Sequence, residues 1–170
     1  HHLKLAALLH DIGLLMLSPC ITENRAPLEP ESYVAVQHHA RLGANLLEPF
    51  AFLQKASTLI AHHHERWDGK GYPSGLKGED IPLGARVLSV VDYFDALTSE
   101  RPYHKAMAPE GAIAHLRKES GRALDPRVVD AFLTVLSEDA RFRNLPVIAS
   151  VDAPGDGYDL PNLEFTSGEP

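Results

Sequence analysis

The chain has 170 residues, 44% of them hydrophobic and 23% charged, which suits one domain with a real core and is too apolar for intrinsic disorder. The single cysteine, Cys20, excludes an internal disulfide and any thiolate zinc knot, and it permits a reducing compartment. The formal charge of −7 is uneven: residues 146–170 carry five acidic side chains and no Lys or Arg, leaving 1–145 at −2 (16 basic against 18 acidic), so the chain offers no basic surface for polymeric nucleic acid. A small anionic ligand needs only a local positive cluster and stays open.

Taken in chain order, the apolar spacing predicts helices. Residues 3–16 hold Leu3, Leu5, Leu8, Leu9, Ile12, Leu15 and Met16, a segment of helical length. Residues 32–48 place Tyr33, Val36, Leu42, Leu46 and Leu47 at helical intervals, and 50–63 do the same with Phe50, Phe52, Leu53, Leu59 and Ile60. A Gly-rich loop follows over about 67–81, with Gly69, Gly71, Gly75 and Gly78. Pro82 suits the first turn of a helix over 82–98 that buries Val87, Leu88, Val90, Val91, Phe94 and Leu97. Pro109 opens another helix that stops at Gly121, and Asp125-Pro126 reads as an N-cap and first-turn proline for a helix to about Leu136. The expected class is all-α, a helical bundle over 1–145 with a Gly-rich loop. Residues 146–170, with four Pro and three Gly, read as an extended acidic tail. No apolar run approaches the roughly 20 residues that span a bilayer. The N-terminus also lacks the order of a signal peptide.

Polar residues interrupt these apolar helices. His10-Asp11 follows Ala6-Ala7-Leu8-Leu9, His38-His39 lies inside the second helix, His62-His63-His64 ends the third, and Asp92 and Asp95 sit midway along the fourth. Each alone has a bland reading. A buried His is usually satisfied by a core partner, a mid-helix Asp often pairs with an Arg such as Arg86 or Arg101, and His1-His2 has the look of a tag remnant. The conjunction is different, because four separate segments each present His or Asp. An unpaired carboxylate buried in such helices costs several kcal/mol. A divalent cation supplies the missing counter-charge. Imidazole with carboxylate suits iron, manganese, zinc or nickel, and favours an open hydrolytic site over a structural one.

The run His63-His64-Glu65-Arg66-Trp67-Asp68-Gly69-Lys70-Gly71-Tyr72-Pro73 resembles the defining segment of the HD-GYP family. His10-Asp11-Ile12-Gly13 resembles the HD motif of that family and of the wider HD phosphohydrolase superfamily. The resemblance continues through His39-Ala40-Arg41-Leu42-Gly43, Val91 to Thr98, Arg101-Pro102-Tyr103 and Gly121 to Phe132, in order over about 3–135. It implies a bacterial, cytoplasmic, all-helical domain that hydrolyses cyclic di-GMP to the linear dinucleotide or to GMP at a centre of two or three divalent transition metals, iron or manganese first. Matched residue by residue, it implies His10, Asp11, His39, His63, His64 and Asp92 as metal ligands, with Asp11 bridging and the His10–Asp11 pair at the catalytic centre. It implies Arg101 as a substrate contact and sets Tyr72 in the GYP loop; Tyr72 and Trp67 offer aromatic faces for a guanine, with a core plug the equal reading of Trp67, and Lys105 stands in for the missing basic residue at His104. Asp95 becomes a supporting carboxylate that orients a liganding imidazole. An upstream receiver or sensory domain and other signalling proteins are the implied partners.

Three departures from the family pattern define rival readings. Leu14 stands where many active members carry Lys after the HD segment. The family has a further metal-binding His, sometimes with a Glu, on a helix well upstream, and the nine residues before His10 are too few to contain it. His2 does not substitute, since it lies about 12 Å along the same helix. His104 stands where a basic residue is frequent, with Lys105 next to it. The enzyme reading therefore competes with a catalytically degenerate module that binds the dinucleotide or a signalling protein, and with an HD-superfamily hydrolase of another nucleotide.

Overall fold

The computed structural model describes residues 1–22, 29–100 and 105–139. Among these residues the chain forms helices and turns without a strand: α1 (His2–Leu9), α2 (Pro19–Thr22), α3 (Pro30–Gln37), α4 (His39–Leu47), α5 (Gln54–Ala61), α6 (Leu83–Thr98), α7 (Pro109–Glu119) and α8 (Pro126–Glu138), with single 3-10 turns over Ile12–Met16, Ala51–Leu53 and Gly78–Asp80. The all-α expectation is borne out. The predicted tail over 146–170, and Arg101 and His104, lie outside the described residues.

Two apolar clusters divide the interior, and α6 serves both. Ala6, Leu47, Leu53, Ala56 and Ile60 from α1, α4, the Ala51–Leu53 turn and α5 close around Leu88 of α6. Val90, Phe94 and Leu97 of the same helix pack against Ile113, Leu116, Val129, Leu133 and Leu136 from α7 and α8. Fully burying one such aliphatic side chain stabilises the fold by about 1.5–3 kcal/mol, so these contacts hold the bundle together. They leave Asp92 of α6 half-buried and facing His10 at the end of α1. Val91, expected inside, is instead 41% exposed.

The start of α8 is fastened to α6 by one carboxylate with two tasks. Asp125 accepts from the Arg127 backbone N–H at 2.9 Å as an N-cap, with Pro126 in the first helical turn. Its other oxygen takes the Arg86 Nη1 at 2.6 Å, and the Asp125 side chain is fully buried. Of the two Arg partners expected for Asp92 or Asp95, Arg86 is thus committed elsewhere, and Arg101 lies outside the described residues.

Helix boundaries differ from the apolar pattern at two places, both at histidines. The segment 3–16 is not one helix: α1 stops at Leu9, His10 and Asp11 form a turn, and Ile12–Met16 tighten into a 3-10 turn. Segment 32–48 breaks at His38 into α3 and α4, so His39 opens a helix rather than lying inside one. The first break has a packing cause. A Cβ on Gly13 would stand 2.0 Å from the His39 carbonyl oxygen and 2.5 Å from the Gly43 N, so the backbone of the HD segment lies directly on α4. An unbroken helix with side chains could not approach so closely. Among the described residues, no helix is long and apolar enough to cross a membrane.

A Gly13→Ala variant is therefore expected to lose about 3 kcal/mol, the upper end for overpacking, because the clash is with backbone that cannot rotate away. Gly84→Ala, whose Cβ would meet only the movable Leu59 side chain at 2.7 Å, is expected to lose less. Urea denaturation of both variants checks this, and equal losses would contradict it.

Candidate metal centre

Three helices end at one place, and each delivers a histidine there. His10 follows α1, His39 follows α3 and His63 follows α5. Each imidazole makes the same bond: Nδ1–H donates to the carbonyl three residues earlier, in the last turn of the helix that has just ended. The acceptors are Ala7 (3.0 Å), Val36 (2.6 Å) and Ile60 (2.7 Å). Carbonyls in the last turn of a helix lack the usual amide four residues on and can accept such a bond; the Val36 carbonyl also takes the His38 backbone N–H. A carbonyl can only accept, so Nδ1 carries the proton in all three rings. Nε2 of His39 and His63 is left with its lone pair outward.

The Nε2 atoms and the carboxylates converge. Asp11 divides its oxygens, Oδ2 lying 3.2 Å from His10 Nε2 and Oδ1 3.5 Å from His39 Nε2. Asp92 Oδ1 stands 3.7 Å from His10 Nε2. His64 Nε2 lies 3.2 Å from His39 Nε2. The His63 ring is 5.5 Å from His10, 5.4 Å from His39 and 3.9 Å from His64, centre to centre. One ligand atom from each of His39, His63 and His64 lies within 4.8 Å of the others, a spacing that suits a single cation.

The fit to a divalent metal rests on His63. Its Nε2 is buried and has no hydrogen-bond partner, a costly state for a polar atom. Coordination to a cation would satisfy it. Burial also pushes the His63 imidazole down to about 4 and His64 well below its usual value, so both are neutral, as metal ligation requires. For Asp11, burial pushes the pKa upward, but the hydrogen bond and charge of His10 outweigh it and hold the carboxyl below its usual range. The Asp11 hydrogen bond raises His10 to about 9.

The other sequence-predicted residues fall into distinct positions. The Tyr72 ring stacks on His64 at 5.0 Å and 28°, and burial raises its phenol pKa. Gly71 makes that stack attainable, because a Cβ there would lie 2.5 Å from the His64 carbonyl oxygen. The Arg86 guanidinium lies 5.8 Å from the Trp67 ring centre, so one face of the indole is already engaged. The Trp67 backbone is tied to Ala123, at the foot of α8. Lys105 is exposed. Asp95 is exposed and accepts from Ser99 Oγ at 3.2 Å. The orienting role expected of that carboxylate is filled on three imidazoles by backbone carbonyls. His38 turns its Nδ1 onto the Val34 carbonyl at 2.7 Å.

Sequence reading passed over Glu65. Its side chain is fully buried, and it accepts the backbone N–H of Ser74 at 2.7 Å and of Leu76 at 3.0 Å. The available signal was a carboxylate entering a Gly- and Pro-rich loop, where backbone donors have no helix to serve them.

The fold and this arrangement define a class. The chain belongs to the HD domain family, whose sequence pattern matches residues 1–128, and the resemblance carried by its motifs is thereby borne out. It is 41% identical over 133 residues to the cyclic di-GMP phosphodiesterase response regulator RpfG of Xanthomonas campestris pv. campestris (77% of this chain, 35% of that protein). It is 37% identical over 138 residues to a cyclic di-GMP phosphodiesterase of Thermotoga maritima (80% and 38%). It is also 37% identical over 135 residues to the 3'3'-cGAMP-specific phosphodiesterase 3 of Vibrio cholerae (79% and 29%). The crystal structure of the cyclic GMP-AMP specific phosphodiesterase V-cGAP3 superposes with a TM-score of 0.64 at 21% identity, covering 84% of this chain and 39% of that one, a likeness of fold. The chain spans about a third of the length of these relatives.

In metal-free protein, NMR titration is expected to place His10 near 9 and His63 near 4. The raised His10 value means that its pairing with Asp11 stabilises the fold fully below 6.5 and loses that contribution as pH rises through about 9. Midpoints near 6.5 for both rings would contradict the geometry.

Proposed function

We propose that this chain is the hydrolytic part of a metal-dependent phosphodiesterase that opens a cyclic dinucleotide, cyclic di-GMP first, to the linear dinucleotide or GMP. The observation that carries this reading is the convergence of four imidazoles and two carboxylates from three helix ends and the middle of α6. His39, His63 and His64 would hold one cation, His10 and Asp92 would serve a second, and Asp11 would bridge them, since its two oxygens already face different imidazoles. The donor set matches iron or manganese, and also zinc or nickel. Such cations supply charge against the non-bridging phosphate oxygens and an acidified water.

The chain's own groups do the rest. Burial keeps His63 and His64 neutral, so their lone pairs are available. Asp11 stays ionised, which fixes a negative charge between the rings. The Tyr72 phenol keeps its proton and can donate to a phosphate oxygen or a guanine while its ring borders the cluster. Arg101 and Lys105 would neutralise phosphate, Trp67 would offer a ring face to a base, and Asp95 would steady the end of α6. The compartment is the bacterial cytoplasm. An upstream receiver or sensory domain would regulate the site, and residues 146–170 would form a separate acidic segment.

Two observations favour further readings. A relative named for 3'3'-cGAMP matches at 37% identity, as the Thermotoga maritima cyclic di-GMP enzyme does, which makes the mixed dinucleotide a competing substrate. Leu14 is half-buried and brings no charge to the HD turn, which favours a module that binds the dinucleotide without cleaving it.

Iron- or manganese-loaded protein incubated with cyclic di-GMP and with 3'3'-cGAMP, with products resolved by chromatography, separates these readings. Linear product from cyclic di-GMP is expected. Binding without product from either would leave the module. Asp11→Ala and His63→Ala are each expected to cut turnover about a hundredfold or more, with a loss of bound metal. Unchanged turnover in both would put catalysis elsewhere.

A further inference from the structure

The stretch Gly69 to Leu76 carries Tyr72 to the histidine cluster, and it has little regular structure to hold it there. Its two ends are tied to neighbouring chain: Asp68 N–H bonds the Arg122 carbonyl at 2.8 Å, and Gly78 N–H bonds the Trp67 carbonyl at 3.0 Å. Between them, the Tyr72 N–H reaches the His64 carbonyl at a long 3.3 Å. The first residues turn back locally, Gly69 N–H to the Arg66 carbonyl at 2.9 Å and Lys70 N–H to Asp68 Oδ1 at 3.1 Å, whereas beyond Tyr72 the short bonds go to one side chain. Glu65 Oε1 accepts from Ser74 N–H at 2.7 Å and Oε2 from Leu76 N–H at 3.0 Å, so both oxygens are spent on loop backbone. The carboxylate has no solvent exposure, and His62 Nδ1 stands 3.6 Å from Oε1. Glu65 follows His64 directly, so the residue that binds the loop is joined to a residue of the cluster.

We propose that Glu65 is a positioning residue: its buried carboxylate grips the Ser74 and Leu76 amides, fixes the loop, and thereby keeps the Tyr72 ring stacked on His64 where a substrate must enter. A hydrogen bond to a charged group is stronger than a neutral one, and a loop held at two amides cannot rotate about either. Glu65 touches neither the reacting atoms nor a cation in this scheme. It acts through Tyr72. The substrate consequence rests on the phosphodiesterase reading, whereas the grip on the loop does not.

The test is Glu65→Gln, which keeps the shape but turns one acceptor into a donor facing an N–H. Amide hydrogen exchange of the metal-loaded protein is read together with metal content and steady-state kinetics. Exchange at Ser74 and Leu76 is expected to quicken about tenfold or more, with metal content unchanged. KM for the cyclic dinucleotide is expected to rise about tenfold with kcat within about threefold, the signature of lost positioning in binding. Unchanged exchange at both amides overturns the proposal, as does quickened exchange with an unchanged KM. Loss of metal together with activity would make Glu65 part of the metal centre and also overturns it. If the variant does not fold, the wild-type chain still decides: Ser74 and Leu76 amides are expected to exchange about a hundredfold slower than an unstructured chain, and free exchange refutes the grip. Wild-type protein that cleaves no cyclic dinucleotide would sink the phosphodiesterase reading, and with it the predicted KM effect, while the exchange result would still stand or fall by itself.

Discussion

The structure depends on a bond that helices need in any case. The last carbonyls of a helix lack partners within it and must find them elsewhere. At the ends of α1, α3 and α5 one such carbonyl takes the Nδ1 proton of the histidine three residues on. Each bond adds only about 1 kcal/mol net to stability. Its larger effect is directional. It fixes the tautomer and the ring plane, and it turns Nε2 away from the helix end toward the same small volume. Terminating three helices and aiming three imidazoles are thus one event.

The surroundings follow from that convergence. Four imidazoles crowd at centre-to-centre spacings of 3.9–5.5 Å, and burial keeps two of them, His63 and His64, neutral. The helix ends must also approach closely, so Gly13 lies on the α4 backbone and Gly71 on the His64–Glu65 backbone without room for a Cβ. Helix α6 completes the site from the other side. It is anchored in both apolar clusters and by the Arg86–Asp125 pair, so Asp92 is presented on a rigid element. Side chains on loops would hold such a geometry less closely, and the one loop that does enter is gripped by Glu65.

Much of this was legible in the sequence. Apolar spacing located α5 through α8 to within a few residues, and the order of His10-Asp11, His39, His63-His64 and Asp92 marked the residues that the fold brings together. The helix breaks at His10 and His38 were not legible. Leu14, Leu15 and Met16 continue the apolar pattern of α1, and only the contact of Gly13 with α4, a tertiary constraint, ends it. Asp95 was read as support for an imidazole, yet it bonds Ser99, because helix-end carbonyls were already in place to do that work. Glu65 escaped notice because its partners are backbone amides, which have no residue signature. Trp67 was open between a face for a base and a core plug, and Arg86, held by its pairing with Asp125 39 residues on, lies against its ring, which spacing does not reveal.

Imidazoles aimed by helix-end carbonyls are placed to bind a cation through Nε2. Metal-edge X-ray absorption on protein loaded with one divalent cation tests this most directly. The account predicts at least three imidazole nitrogens on that cation, as for His39, His63 and His64, at about 2.0–2.1 Å if zinc is used. A coordination shell made of water oxygens alone, without the outer scattering of imidazole rings, would contradict it.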